Sequence, residues 1–224
     1  MSLALFWSSG KDAAWSLHLL RQQGIDVSVL VTTFVGETGR VTSHGVRRSV
    51  VRHQAAQVDL PLVEVDLPWP CSNPMYEFAV GSTLEDLKAR EGIVGAAFGD
   101  LYLNEVRDFR RGLVARYGLR AEFPLWGMRT DLLARRILRA GVEVYLASVD
   151  PTKLDRSFVG ARWTDSLVRS LPPTVDPCGE NGEFHTVIAN GPMFAAGVRV
   201  QRGDDFEDGA MIAADFDLAA EAGR

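Results

Sequence analysis

The apolar run Leu3-Ala4-Leu5-Phe6-Trp7 stops at Ser8-Ser9-Gly10-Lys11-Asp12 and passes at once into Ala13, Ala14, Leu17 and Leu20 at helical spacing. A buried strand, a tight glycine-containing turn and an amphipathic helix are the only local structures that satisfy this order of residues. Such a unit aims backbone N–H groups and the positive end of a helix dipole at one point, which is where an anion binds. The hydroxyls of Ser8 and Ser9 and the Lys11 ammonium add donors and a full charge. The plainer reading is a βα turn with Lys11 in solvent and Asp12 as a helix cap. Neither the Walker pattern nor a dinucleotide Gly-x-Gly-x-x-Gly is present, so a phosphate loop here is of another kind.

The rest of the first two thirds repeats the alternation. Val27 to Phe34 and Leu62 to Val65 read as strands, Val46 to Val58 as a helix, and Asn73 to about Arg90 as a helix with Pro74 in its first turn. Ile93 to Phe98 reads as a buried strand, and Leu103 to Tyr117 as a helix stopped by Gly118. This pattern predicts an α/β domain with a mostly parallel sheet covered on both faces. In such sheets ligands gather beyond the carboxyl ends of the strands. Ser8 to Asp12, the loop from Gly36 to His44, and Gly99-Asp100 all fall at such ends. Asp100 offers an acceptor or a metal ligand, and His44, in its loop, is a better candidate contact than His18 or His53.

From Arg129 the pattern loosens: a helix over Thr130 to Ala140, a strand over Val142 to Val149, then loops and strand-like pieces from Val187 to about Phe216, with a frayed end at Glu221 to Arg224. We place the domain boundary at 125/126. Within the second part, Gly179-Glu180-Asn181-Gly182-Glu183 brings two carboxylates together, and His185 follows Glu183 by two positions. In an extended segment Glu183 and His185 would share a face and could relay a proton, hold Mg²⁺ or grip a polar substrate. The alternative is a solvated acidic turn.

A net charge of −5 argues against broad nucleic-acid binding, and the strip Arg107, Arg110, Arg111 and Arg116 reads as a solvated helix face. Trp69 and Trp126 read as packing plugs. An apolar content of 46% suits a packed core, and no apolar run approaches a membrane span. Two distant cysteines, Cys71 and Cys178, and a start without a basic leader point to a reducing cytoplasm.

With both motifs in view, the chain resembles the diphthine–ammonia ligase family of N-type ATP pyrophosphatases (PP-loop enzymes). Ser8-Ser9-Gly10-Lys11-Asp12-Ala13 is similar to that family's Ser-Gly-Gly-Lys-Asp-Ser loop. Ser43-His44-Gly45-Val46, Pro68 to Asn73, Gly99-Asp100, Arg107 and Pro124-Leu125-Trp126 follow in the family's order, and Asp176 to Thr186 is similar to its C-terminal signature. The resemblance implies a Rossmann-like, five-stranded parallel sheet of the adenine-nucleotide α-hydrolase type, with a smaller C-terminal α+β domain. It implies ATP cleaved to AMP and pyrophosphate, a carboxylate-bearing substrate (a modified protein side chain or a small molecule), and ammonia as the amide source. A homodimer is the assembly it allows.

The same resemblance implies Ser8, Ser9, Gly10, Lys11, Asp12, Ala13, Thr33, His44, Gly99 and Asp100 as nucleotide contacts. Lys11, Asp12, Glu180, Glu183 and His185 would be catalytic, with Mg²⁺ at Asp12 and Asp100. Two departures stand out. Ser9 replaces a glycine and would fit only with a negative φ. Ala13 replaces a serine, and one donor fewer toward a phosphate costs on the order of 1.5–3 kcal/mol. An adenine-nucleotide sensor with a degenerate loop, or an enzyme amidating another acceptor, are the alternatives.

Overall fold

The computed structural model describes residues 2–220, so the expected frayed end at Glu221 to Arg224 lies outside the described residues. Strand β1 (Ser2–Phe6) is buried on both sides, and Leu3, Ala4 and Leu5 are wholly inaccessible. Its alternation divides the core. Leu3 and Leu5 pack with α1 (Lys11–Gln22) and α2 (Arg48–Gln57), whereas Ala4 packs with α3 (Asn73–Glu91) and α4 (Asn104–Ala115). The sheet is therefore covered on both faces, as its unbroken apolar strands require.

β1 pairs in parallel with β2 (Asp26–Val35) and β5 (Gly95–Ala97). β2 pairs in parallel with β4 (Leu62–Leu67), and β5 with β6 (Arg120–Glu122). The parallel order β4-β2-β1-β5-β6 carries one addition, the two-residue antiparallel β3 (Arg40–Val41) on the end of β2. The sheet thus has six strands and is mixed, not five and purely parallel. The cause is the loop after β2. It turns back through Gly39 and hydrogen-bonds Phe34 and Val35 before reaching α2. Chain order reverses between β1 and β5, which sets the two strand ends carrying Ser8–Lys11 and Gly99–Asp100 side by side.

After α5 (Thr130–Arg139) a second, antiparallel sheet forms from β7 (Glu143–Val149), β8 (Phe184–Asn190), β9 (Val200–Asp208) and β10 (Met211–Leu218), in the order β8-β7-β10-β9. A short helix, α6 (Asp165–Ser170), lies between β7 and β8, where the sequence read as loop, and the Thr164 side chain caps it by accepting from Leu167 N. The first sheet ends at Glu122 and the second begins at Glu143, and a division at 125/126 remains our proposal. Leu133, Ile137, Val144 and Leu146 belong to the same apolar cluster as Leu3 and Leu5, so one core runs through both sheets. No helix among the described residues is long and apolar enough to cross a membrane.

Candidate active site

β8 lies directly on the loop after β1. Ile188 N donates to the Ser9 carbonyl (2.9 Å), and the Gln54 amide donates to Ile188 O (2.7 Å) while accepting from Trp7 Nε1 (2.9 Å). Lys11 N donates to Thr186 Oγ1 (3.1 Å). A Cβ at position 10 would come within 3.0 Å of the His44 ring and 3.1 Å of Thr186, so Gly10 is what allows β8 to approach so closely. A Cβ on Gly99 would meet Ala13 N at 3.0 Å, and its absence lets β5 end against the first turn of α1. Gly10 itself offers no side-chain cap; Thr186 takes Lys11 N, and the N–H groups of Asp12 and Ala13 have no side-chain cap.

Between the sheets opens a cleft of about 810 Å³. It is lined by Ser8, Lys11, Asp12, Ala13, Thr33, His44, Gly99, Asp100, Glu180 and His185 from the sequence-derived set. Ser9, Gly10 and Glu183 are not on its wall. Lys11 is 2% exposed, which rules out the solvated reading. Its ammonium donates to Asp12 Oδ2 (2.8 Å) and to the Cys178 carbonyl, and the rings of Trp163 and Phe184 lie 5.6 and 5.7 Å away. Burial works most strongly against the Lys11 charge, but Asp12, with help from Cys178 and Glu180, holds the pKa above its ordinary value. The same burial pushes the Asp12 carboxyl up against the pull of Lys11.

The C-terminal loop divides labour among its acids. Asp176 accepts from the N–H groups of Cys178 (2.8 Å) and Glu180 (3.3 Å), which closes a turn. Glu183 is 2% exposed and accepts from Asp176 N (2.8 Å), Asn181 N (2.9 Å) and Asn181 Nδ2 (3.2 Å). It precedes β8, so the expected strand face shared with His185 is corrected, and its hydrogen bonds shape the loop from behind. Glu180 faces the cleft, and its Oε1 accepts from Leu101 N (2.8 Å) and Tyr102 N (3.3 Å). Burial raises its pKa to about 7, with Asp12 and Asp100 adding to the rise against the two backbone donors.

His44 and His185 lie with ring centroids 4.5 Å apart. Burial above all holds both below the ordinary histidine range, His185 at about 4, and Lys11 adds to this. Both are therefore neutral at pH 7. His44 Nδ1 donates to the Thr186 carbonyl (3.1 Å), which leaves Nε2 as an acceptor. The loop carrying His44 is locked to the second sheet. Asp215 on β10 takes Arg47 at two points (2.7 and 2.5 Å) and Arg40 at 2.9 Å, and these arginines hold its pKa down to about 2. Arg40 in turn donates to the Gly45 carbonyl (2.8 Å).

Ser9 corrects another expectation. Its φ is +71°, the left-handed region, and its hydroxyl is buried without a partner. The position keeps the conformation suited to glycine, and serine occupies it under strain. Ser9→Gly is expected to stabilise the fold by about 1 kcal/mol, since the relief of strain exceeds glycine's added chain entropy. A thermal melt should show a rise of roughly 2–4 °C, and an unchanged or lower midpoint would refute the strain argument.

For the two proposed magnesium ligands the structure distinguishes. Asp12 Oδ1 is buried with no hydrogen-bond partner, whereas Asp100 lies 2.7 Å from Arg110 Nε. No group of three or more His, Cys, Asp or Glu side chains gathers as a metal site among the described residues. A magnesium ion bound mainly through phosphates needs only one or two carboxylates, and Asp12 fits that requirement.

The arginine strip is a solvated face only in part: Arg111 and Arg116 are exposed, while Arg107 and Arg110 are half-buried. Arg107 stacks on Trp126 (4.3 Å), Arg110 on Phe98 (4.7 Å) and Arg111 near Phe123 (5.8 Å), while Arg116 pairs with Glu77. Trp69, read as a packing plug, is 62% exposed. Asn73, Tyr76, Arg110, Cys178 and Thr186 join the cleft without having been singled out for it. Of these, Asn73, Cys178 and Thr186 lie in segments the sequence marked, and Arg110 lies in the strip read as solvated.

Residues 129–213 match the family model described as the diphthamide synthase C-terminal domain. This part of the chain is similar to that domain. The matched segment supplies β8 and the Asp176–Thr186 loop, which form the roof over Lys11, and the match supports the resemblance to the diphthine–ammonia ligases. No curated protein matches the chain.

Proposed function

We propose that the chain is an ATP-dependent ligase that activates a carboxylate by adenylation and forms an amide with ammonia. The observation that carries this reading is the enclosure of Lys11. The first turn of α1 and a buried, charged ammonium face the same cleft as Glu180, under a roof built by the diphthamide synthase-type domain. Donors held rigidly in a dry site stabilise charge as pyrophosphate leaves. Mg²⁺ bound to the phosphates and Asp12 would neutralise part of that charge.

The carboxylate oxygen of the acceptor attacks the α-phosphorus, and the bond to the β-phosphate breaks. Ammonia then attacks the acyl carbon, AMP leaves, and the amine proton passes to Glu180. His185 is too weak a base for that step; with His44 it offers neutral ring nitrogens to polar ligand groups. A carboxyl with a pKa near 7 is suited to accept a proton at neutral pH.

Product analysis by phosphorus NMR, with Mg-ATP, ammonia and a panel of carboxylic acids, should give AMP and pyrophosphate. ADP or unconsumed ATP would refute the reaction. With ammonia supply corrected for its own ionisation, the rate should rise through a midpoint near pH 7, and Glu180→Gln should remove that step. Because the folded Glu180 pKa lies above the unfolded value, ionisation of Glu180 destabilises the fold as pH rises through about 7. Glu180→Gln should therefore melt higher than wild type at pH 8, an effect absent at pH 4.

A further inference from the structure

Among the described residues lining the cleft, two carry a fixed positive charge, Lys11 and Arg110. Lys11 is committed to Asp12 and the Cys178 carbonyl. Arg110 is held differently. Its guanidinium lies over the Phe98 ring (4.7 Å), which sets its plane, and Tyr76 from α3 stands close enough to feel its charge. Its Nε is 2.7 Å from Asp100 Oδ2, yet the two are not aligned as a hydrogen bond, and both atoms are buried without a hydrogen-bond partner.

The contrast with Arg47 and Asp215 is direct, since that pair makes two aligned hydrogen bonds and lies away from the cleft wall. The Arg110 and Asp100 side chains are half-buried, and their two facing atoms, buried without aligned hydrogen bonds, are costly unless something else satisfies them. The pair on the cleft wall presents both signs of charge, each with hydrogen-bonding capacity left open. We infer that Arg110 and Asp100 form a subsite for the head group of an α-amino acid, with the carboxylate on Arg110 and the ammonium on Asp100.

This inference rests on the ligase reading and narrows its acceptor. The carboxylate that becomes an adenylate cannot be the one on Arg110. A guanidinium clamp would favour that group's anionic ground state over the transition state and slow the reaction. The reacting carboxylate is therefore a second one, on the amino acid's side chain, directed toward Lys11 and Glu180. The acceptor class is an acidic α-amino acid.

The test is calorimetric titration of L-glutamate and L-aspartate into the full-length protein, with and without magnesium and α,β-methylene-ATP. Their counterparts without the ammonium (glutarate, succinate) and without the α-carboxylate (γ-aminobutyrate, β-alanine) serve as comparisons. One of the two amino acids should bind at least tenfold more tightly than both of its truncated counterparts. Arg110→Gln should abolish that difference while changing α,β-methylene-ATP affinity less than threefold, and Arg110→Lys should recover part of it.

Equal binding of amino acid and truncated forms, or no amino-acid binding, overturns the subsite. A tenfold loss of nucleotide affinity in Arg110→Gln also overturns it, because Arg110 would then serve the triphosphate. If the nucleotide analogue fails to bind wild type while amino-acid discrimination persists, the ligase reading falls and the subsite stands. Should Arg110→Gln fail to fold, Arg110→Lys and the wild-type comparison series still decide.

Discussion

Lys11→Met is expected to cut AMP formation by about 10²–10³-fold, the loss typical of removing one preorganised donor at developing charge. It should also destabilise the protein. The substitution leaves the Asp12 carboxylate without its counter-charge. Breaking a buried pair from one side costs about 3–5 kcal/mol. Asp12 retains 26% exposure, which places the loss toward the low end of that range.

The two effects separate in the double variant Lys11→Met with Asp12→Asn, in which no buried charge is stranded. Its melting point should recover most of the loss, and AMP formation should stay low. Wild-type turnover in a folded Lys11→Met protein would remove the ammonium from the chemistry. Full recovery of turnover in the double variant would reduce Lys11 to a structural role.

Glu183→Gln should have the second largest effect, and on stability first. The carboxylate receives two backbone N–H groups and the Asn181 amide, all in a buried setting. A glutamine must turn its NH₂ group toward one of these donors, which loses a charge-assisted hydrogen bond and leaves a buried donor unsatisfied. We expect a loss of about 2–4 kcal/mol, seen as a melting-point drop of roughly 6–12 °C. Faster hydrogen exchange at the amides of Asp176 and Asn181 should accompany it. An unchanged melting point together with lost AMP formation would return Glu183 to the role that the family resemblance implies, at the acceptor.

The βα alternation was readable because a helix and a strand impose different periods on apolar residues, and the packing of Leu3, Leu5 and Ala4 obeys those periods. The phosphate-loop candidate was readable for the same reason: strand, glycine turn and helix leave the anion site in a known place. Segments without a period resisted. Arg107 and Arg110 looked like a solvated face because sequence spacing does not reveal the aromatic rings that Trp126 and Phe98 bring from other elements. Ser9 looked incompatible with positive φ, yet tertiary hydrogen bonding through Ile188 and Gln54 to its carbonyl holds it there.

Residue order alone therefore determined the βα frame, the turn after β1 and the segment from Asp176 to Thr186 as the place to look. Tertiary structure decided which acid in that segment faces the cleft. Asp176, Glu180 and Glu183 are chemically alike and lie within one loop, so no periodicity ranks them. Backbone N–H groups enclose Asp176 and Glu183, while the approach of the two sheets turns Glu180 toward Lys11 and Asp100. Burial and hydrogen-bond partners are properties of the packed chain, and they set both the charge and the reach of each side chain.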